Sequence, residues 1–161
     1  MSIADRIEYL AGRIATLKAE GDRTFAVLLA LELRIQKNYK RRYDAILSHC
    51  HGNVLGLELG NGRGRFVAVL PEPAEGDKVR LLNFDEGGFS GHEVHSTQSD
   101  ALCEALRQGY TIVSDGAMDR FAQQPKWHHG MRVADLIRQL GSGQIRMDQF
   151  HRAVAELPPC N

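Results

Sequence analysis

The chain has 161 residues, 43% apolar and 25% charged, so it is a folded protein of one or two small domains and not a disordered tract. Twenty basic residues are cancelled by twenty acidic ones, which removes the global basic excess that marks most nucleic-acid binders. No stretch approaches the ~20 apolar residues of a membrane span, so no membrane partner is expected.

Ile3, Ile7, Leu10, Ile14 and Leu17 are spaced by four and three, a heptad-like seam about two repeats long. Asp5, Arg6 and Glu8 stand where a secretory signal would be apolar, so no leader is expected. Ser2, with Asp5 three residues on, reads as the cap of this first helix. Gly21-Asp22 breaks it, and a long helix follows from about Phe25 to Ser48. The short connection predicts an antiparallel helical hairpin. Phe25, Val27, Leu28, Leu29, Leu31 and Leu33 crowd several faces of the second helix, so one face meets the first helix and another is free for the sheet or a second copy. The seam residues Ile3, Ile7, Leu10, Ile14 and Leu17 are the candidates for protein interaction, with a homodimer as the expected assembly.

Gly52 ends the helical region. Val54, Leu55, Leu57 and Leu59 read as a strand, Gly60-Asn61-Gly62-Arg63-Gly64 as a loop, and Phe66–Leu70 as the next strand. The residues from Pro71 to Gly76 form an exposed, turn-rich connection. Val79, Leu81, Leu82 and Phe84 belong to a third strand, reversed by Asp85-Glu86-Gly87-Gly88 into a fourth running to His95. Thr97 and Asp100 have the spacing of a capping box. Ala101, Leu102, Ala105 and Leu106 then mark a helix, and Gly109 its left-handed end. Tyr110–Val113 reads as a fifth strand. Ser114 or Asp115 is expected to cap a short helix with Met118 and Phe121 that stops at Pro125, with Trp127 anchoring the corner. Val133, Leu136, Ile137 and Leu140 mark another helix, and Met147, Phe150, Val154 and Leu157 the last, closed by Pro158-Pro159. The fold class is α+β, with an antiparallel helical hairpin (1–51), a mainly antiparallel meander with a crossing helix (52–113) and a helical tail packed on that core (114–161).

Chemistry is sparse. The glycine loop leads into a strand and not into a helix N-terminus, so it reads as a hairpin loop and not a phosphate cradle, although its arginine could touch an anion. The histidine clusters at His49/His51, His92/His95 and His128/His129 lack zinc-site spacing. Cys50, Cys103 and Cys160 are odd in number and suit a reducing compartment, the cytoplasm. On the second helix Arg34, Lys37, Lys40 and Arg41 concentrate positive charge, with Arg34, Lys37 and Arg41 on one face. Nucleic acid is the alternative partner they suggest.

The order strand with Glu58, glycine loop, two strands, helix with Glu104 and strand ending at Asp115 is similar to the start of an RNase H-like fold. That resemblance implies a metal-dependent phosphodiesterase in which Glu58, Glu104 and Asp115 hold Mg²⁺ ions. The same order occurs without metal in HicB-type antitoxins, which bind a partner protein. The plainer reading makes Glu58 the solvent face of a half-buried strand and Asp115 a helix cap. The expected function is a small cytosolic interaction or regulatory protein that binds a protein partner, has no catalytic activity and needs no cofactor.

Overall fold

The computed structural model describes residues 3–158, so the expected Ser2 cap, Pro159 and Cys160 lie outside the described residues. The chain divides into two compact units, residues 1–52 and 53–161. The first unit is a hairpin of α1 (Ile3–Ala19) and α2 (Arg23–His49). Gly21, at φ 85°, supplies the left-handed residue of the reversal. Asp22 then caps α2, its side chain accepting the Phe25 N–H at 3.0 Å. Leu10, Ile14 and Leu17 are buried where α1 lies along α2. Ala26 is buried on α2, and Leu29 and Leu33 are half-buried one and two turns further on. An ion pair between Arg6 and Glu32, 2.5 Å long, ties the two helices across the hairpin.

The second unit runs β1 (Glu58–Gly60), β2 (Arg65–Pro71), β3 (Val79–Asp85), β4 (Gly88–His95), α3 (Gln98–Arg107), β5 (Ile112–Val113), α4 (Ala117–Ala122), α5 (Pro125–Gly141) and α6 (Met147–Ala155). The five strands form one sheet in the order β4-β3-β2-β1-β5, antiparallel throughout. The α+β class expected from the sequence is the one observed.

Alternation along β2 divides its side chains between two layers. Val67 faces Asn83 of β3, and the Tyr110 hydroxyl just beyond α3 donates to Asn83 Oδ1 at 3.2 Å. The face with Val67, Val69 and Leu81 is therefore the one covered by Ala101, Leu102, Ala105 and Leu106 of α3. On the other face, Ala68 and Phe84 pack with Ala117 and Trp127, flanked by Phe66, Phe121 and Met131. Trp127 meets Phe84 and Phe89 edge-on at 6.2 and 5.0 Å, so it anchors α5 to the sheet as its position suggested. Gly130 makes that docking close. A Cβ there would lie 1.7 Å from the Gly87 carbonyl oxygen of the β3–β4 turn.

Several boundaries differ from the expected ones. The strand expected from Val54 begins only at Glu58, because Val54–Leu57 close a turn in which Gly56 adopts φ 85°. Val54 and Leu57 are still buried, so burial and not strand pairing explains their apolar character. Strand β5 shrinks to two residues, since the Tyr110 N–H is donated to the Ala105 carbonyl at the end of α3, at 3.0 Å, and not to a strand. Pro125 does not merely stop a helix but opens α5 at its first turn, where its missing N–H costs nothing. Neither Ser114 nor Asp115 caps α4. The cap position is Gly116 at φ 70°, with no side-chain cap. Among the described residues no helix is long and apolar enough to cross a membrane.

Candidate interaction surface on the second helix

A helix turns 100° per residue, so residues that touch a neighbour on one side leave the opposite side free. On α2 the inner side is Ala26, Leu29 and Leu33, turned to α1. Val27, Leu28, Leu31 and Ile35 project from the opposite side, exposed by 60, 55, 55 and 64%. Phe25, at the mouth of the hairpin, is exposed by 55%. Contiguous apolar exposure of this kind on one helix is uncommon, because each leucine left in water forfeits about 1.5–3 kcal/mol of burial.

Beyond Glu32, which is paired with Arg6, this stripe runs into a basic stretch. Arg34, Lys37 and Arg41 are exposed and make no ion pair among the described residues, whereas Lys40 is half-buried and bound to Asp44 at 2.7 Å. Residues 34–42 hold five cations and no carboxylate, while the connection before α2 holds Glu20 and Asp22. The helix is thus apolar in its first half and basic in its second.

The five candidates on α1 take a different place. Leu10, Ile14 and Leu17 are buried in the hairpin seam, and Ile3 and Ile7 are half-buried beside it. The heptad-like spacing therefore serves the contact with α2, and the free apolar face lies on α2 itself. A count of apolar residues around α2 carries the signal, since two faces are apolar and α1 can cover only one.

The three carboxylates proposed to share Mg²⁺ do not converge; among the described residues no group of three or more His, Cys, Asp or Glu is placed to hold a metal ion. Glu58 accepts the Met118 N–H at 3.2 Å and so holds the start of α4. Glu104 is engaged on α3 itself, where Gln108 donates to it at 2.8 Å and Arg107 pairs with it. The Gln108 hydrogen bond, with Arg107, outweighs burial and holds the Glu104 carboxyl below its ordinary range. Asp115 is exposed beyond β5. The order of elements is right for a shared site, but their placement separates the ends. The histidine clusters do not converge either; His129 instead contacts the Pro158 carbonyl at 3.1 Å.

No protein family matches the chain, and no curated protein or solved structure matches it.

Proposed function

We propose that this chain works by binding protein, not by catalysis, and that the first partner on its α2 face is a second copy of itself. The exposed stripe of Val27, Leu28, Leu31 and Ile35 carries this reading. With Phe25 it offers on the order of 500 Å² of apolar surface, at the upper end of the ~300–600 Å² that monomers leave exposed. A polar rim brings it near the about 800 Å² per partner of a standard interface.

Charge selects the direction of pairing. A parallel pair would set the five cations of residues 34–42 beside the same five in the partner. An antiparallel pair with Leu28 against Leu31 of the partner subunit overlaps the apolar halves. It also brings each basic half back along the turn that carries Glu20 and Asp22. The assembly then serves a regulatory role in the cytoplasm, consistent with Cys50 and Cys103 forming no disulfide among the described residues.

Light scattering tests the proposal. Wild type should show a mass near twice the 17.9 kDa of one chain, and Leu28→Ser with Leu31→Ser should return it to one. Both positions are exposed, so the variant should keep its helical circular dichroism. A monomeric wild type at high micromolar concentration would sink the idea. A second reading rests on Arg34, Lys37 and Arg41 having no ion-pair partner among the described residues. If nucleic acid is what they meet, binding should weaken steeply with salt and vanish in Lys37→Glu with Arg41→Glu. Absence of any gel shift with DNA or RNA at low salt removes it.

A further inference from the structure

A second feature lies in the unit of residues 53–161, at the end of the sheet where the β1–β2 loop and the β3–β4 turn meet α4 and α5. The β1–β2 loop, the β3–β4 turn, Phe121 of α4 and the start of α5 surround an open cavity of about 580 Å³. That volume falls within the roughly 300–1,000 Å³ of small-molecule clefts. Three cations from three segments reach it: Arg63 from the loop, Arg65 from the first position of β2 and Lys126 from α5. Two aromatic rings also line it, Phe66 and Phe121, edge-to-face with centroids 5.2 Å apart.

Of the two carboxylates in the cavity, one is ion-paired and the other is hydrogen-bonded to backbone. Glu86 is bound by Lys126. Asp85 stands opposite Arg65 in the strand register, yet its Oδ1 accepts the Gly87 N–H at 2.8 Å and makes no ion pair with Arg65. Neither the Arg63 nor the Arg65 guanidinium has a hydrogen-bond or ion-pair partner among the described residues. The loop that presents them is nevertheless fixed. Asn61 Oδ1 accepts the Arg63 and Arg65 N–H groups at 2.8 and 3.3 Å, and Gly62 and Gly64 take φ 71° and 79°.

We propose that this cavity binds a small phosphate monoester carried on a flat, apolar group. Two guanidiniums present planar forks of N–H donors, the geometry that meets phosphate oxygens in pairs. Phe66 and Phe121 offer ring surface to the body of the ligand. Lys126, held by Glu86, adds a third positive charge at the rim. The site lies on a different element from the α2 face and does not depend on self-association.

Titration of the full chain with phenyl phosphate, followed by calorimetry, tests this. Phenyl phosphate should bind at least ~10-fold more tightly than inorganic phosphate, which lacks the ring, and than phenol, which lacks the charge. Arg63→Gln with Arg65→Gln should weaken phenyl phosphate at least ~10-fold. Its melting temperature should stay that of wild type, since both side chains are exposed. Lys37→Gln with Arg41→Gln, which removes two charges from α2, should leave binding as it is. No binding up to about 10 mM overturns the proposal, as does equal affinity in the Arg63/Arg65 variant. Equal affinity for inorganic and phenyl phosphate would also overturn it, because the rings would then contribute nothing.

Discussion

Thr97 fixes the start of the helix that covers one face of the sheet. Its Oγ1 accepts the Asp100 N–H at 3.1 Å and donates to Asp100 Oδ2 at 2.7 Å. Thr97→Ala should cost about 1 kcal/mol in urea unfolding, and Thr97→Ser almost nothing, because serine caps as well. Glu104, two turns along the same helix, links stability to pH. Its folded carboxyl titrates below its ordinary value, chiefly through the Gln108 hydrogen bond. A depressed folded pKa gives stability that is full above the unfolded value and is lost as pH falls through the folded one. Urea midpoints of wild type and Glu104→Gln should therefore differ most near neutrality and converge as pH drops from about 5 to about 3. A difference that stays constant over that range would show that the carboxylate charge is irrelevant to α3. Individual residues were also the most legible part of the sequence. Thr97 and the Asp85–Gly88 reversal each have a local chemical reason, so they needed no tertiary context. The caps expected at Ser114 or Asp115 fared differently, because Gly116 takes the left-handed conformation and the chain enters α4 from there.

Elements depend on what packs against them, and here the sequence says less. Gly130 carries no periodic signal, yet α5 can approach the β3–β4 turn only without a Cβ at that position. Gly130→Ala should destabilise by about 3 kcal/mol or more, since backbone and not a pliable side chain must give way. Gly12, on the open side of α1 with nothing within 4 Å of an added Cβ, is the control. Gly12→Ala should stabilise by about 0.5–1 kcal/mol, through helix propensity alone. Paired thermal melts check both signs. The same dependence on packing explains the boundary differences. Val54 and Leu57 are apolar because they are buried, and periodicity cannot separate a buried turn from a buried strand. Element order likewise implies a meeting of Glu58, Glu104 and Asp115, but order does not specify where an end points. Glu58 turns to the Met118 N–H and Glu104 stays with Gln108. For α1 and α2 the pattern showed which residues are apolar. It could not show that α1 would use the inner face of α2 and leave Leu28, Leu31 and Ile35 in water.

At the scale of the whole molecule, the proposed pairing through that uncovered face predicts a stability that depends on concentration. If folded chains pair through α2 and unfolded chains do not, dissociation is coupled to unfolding. Each tenfold rise in protein then adds about 1.4 kcal/mol of apparent stability per pair. For a chain of this size one kcal/mol corresponds to about 2–4 °C, so melts over a hundredfold range should move upward by several degrees. Leu28→Ser with Leu31→Ser removes two apolar contacts from the stripe without touching the hairpin seam, where Leu10, Ile14 and Leu17 are buried. Its melting temperature should not depend on concentration, and should match wild type at the dilute end of the series. Raising salt separates the two forces in the pairing. The apolar stripe should hold, whereas attraction between the basic half of α2 and the Glu20–Asp22 turn should fade as the Debye length falls from about 8 Å at 0.15 M to about 3 Å at 1 M salt. Wild type should therefore lose only part of its concentration dependence at high salt. A wild-type melting curve that superimposes on itself from low to high micromolar would show that the α2 face is not used between copies.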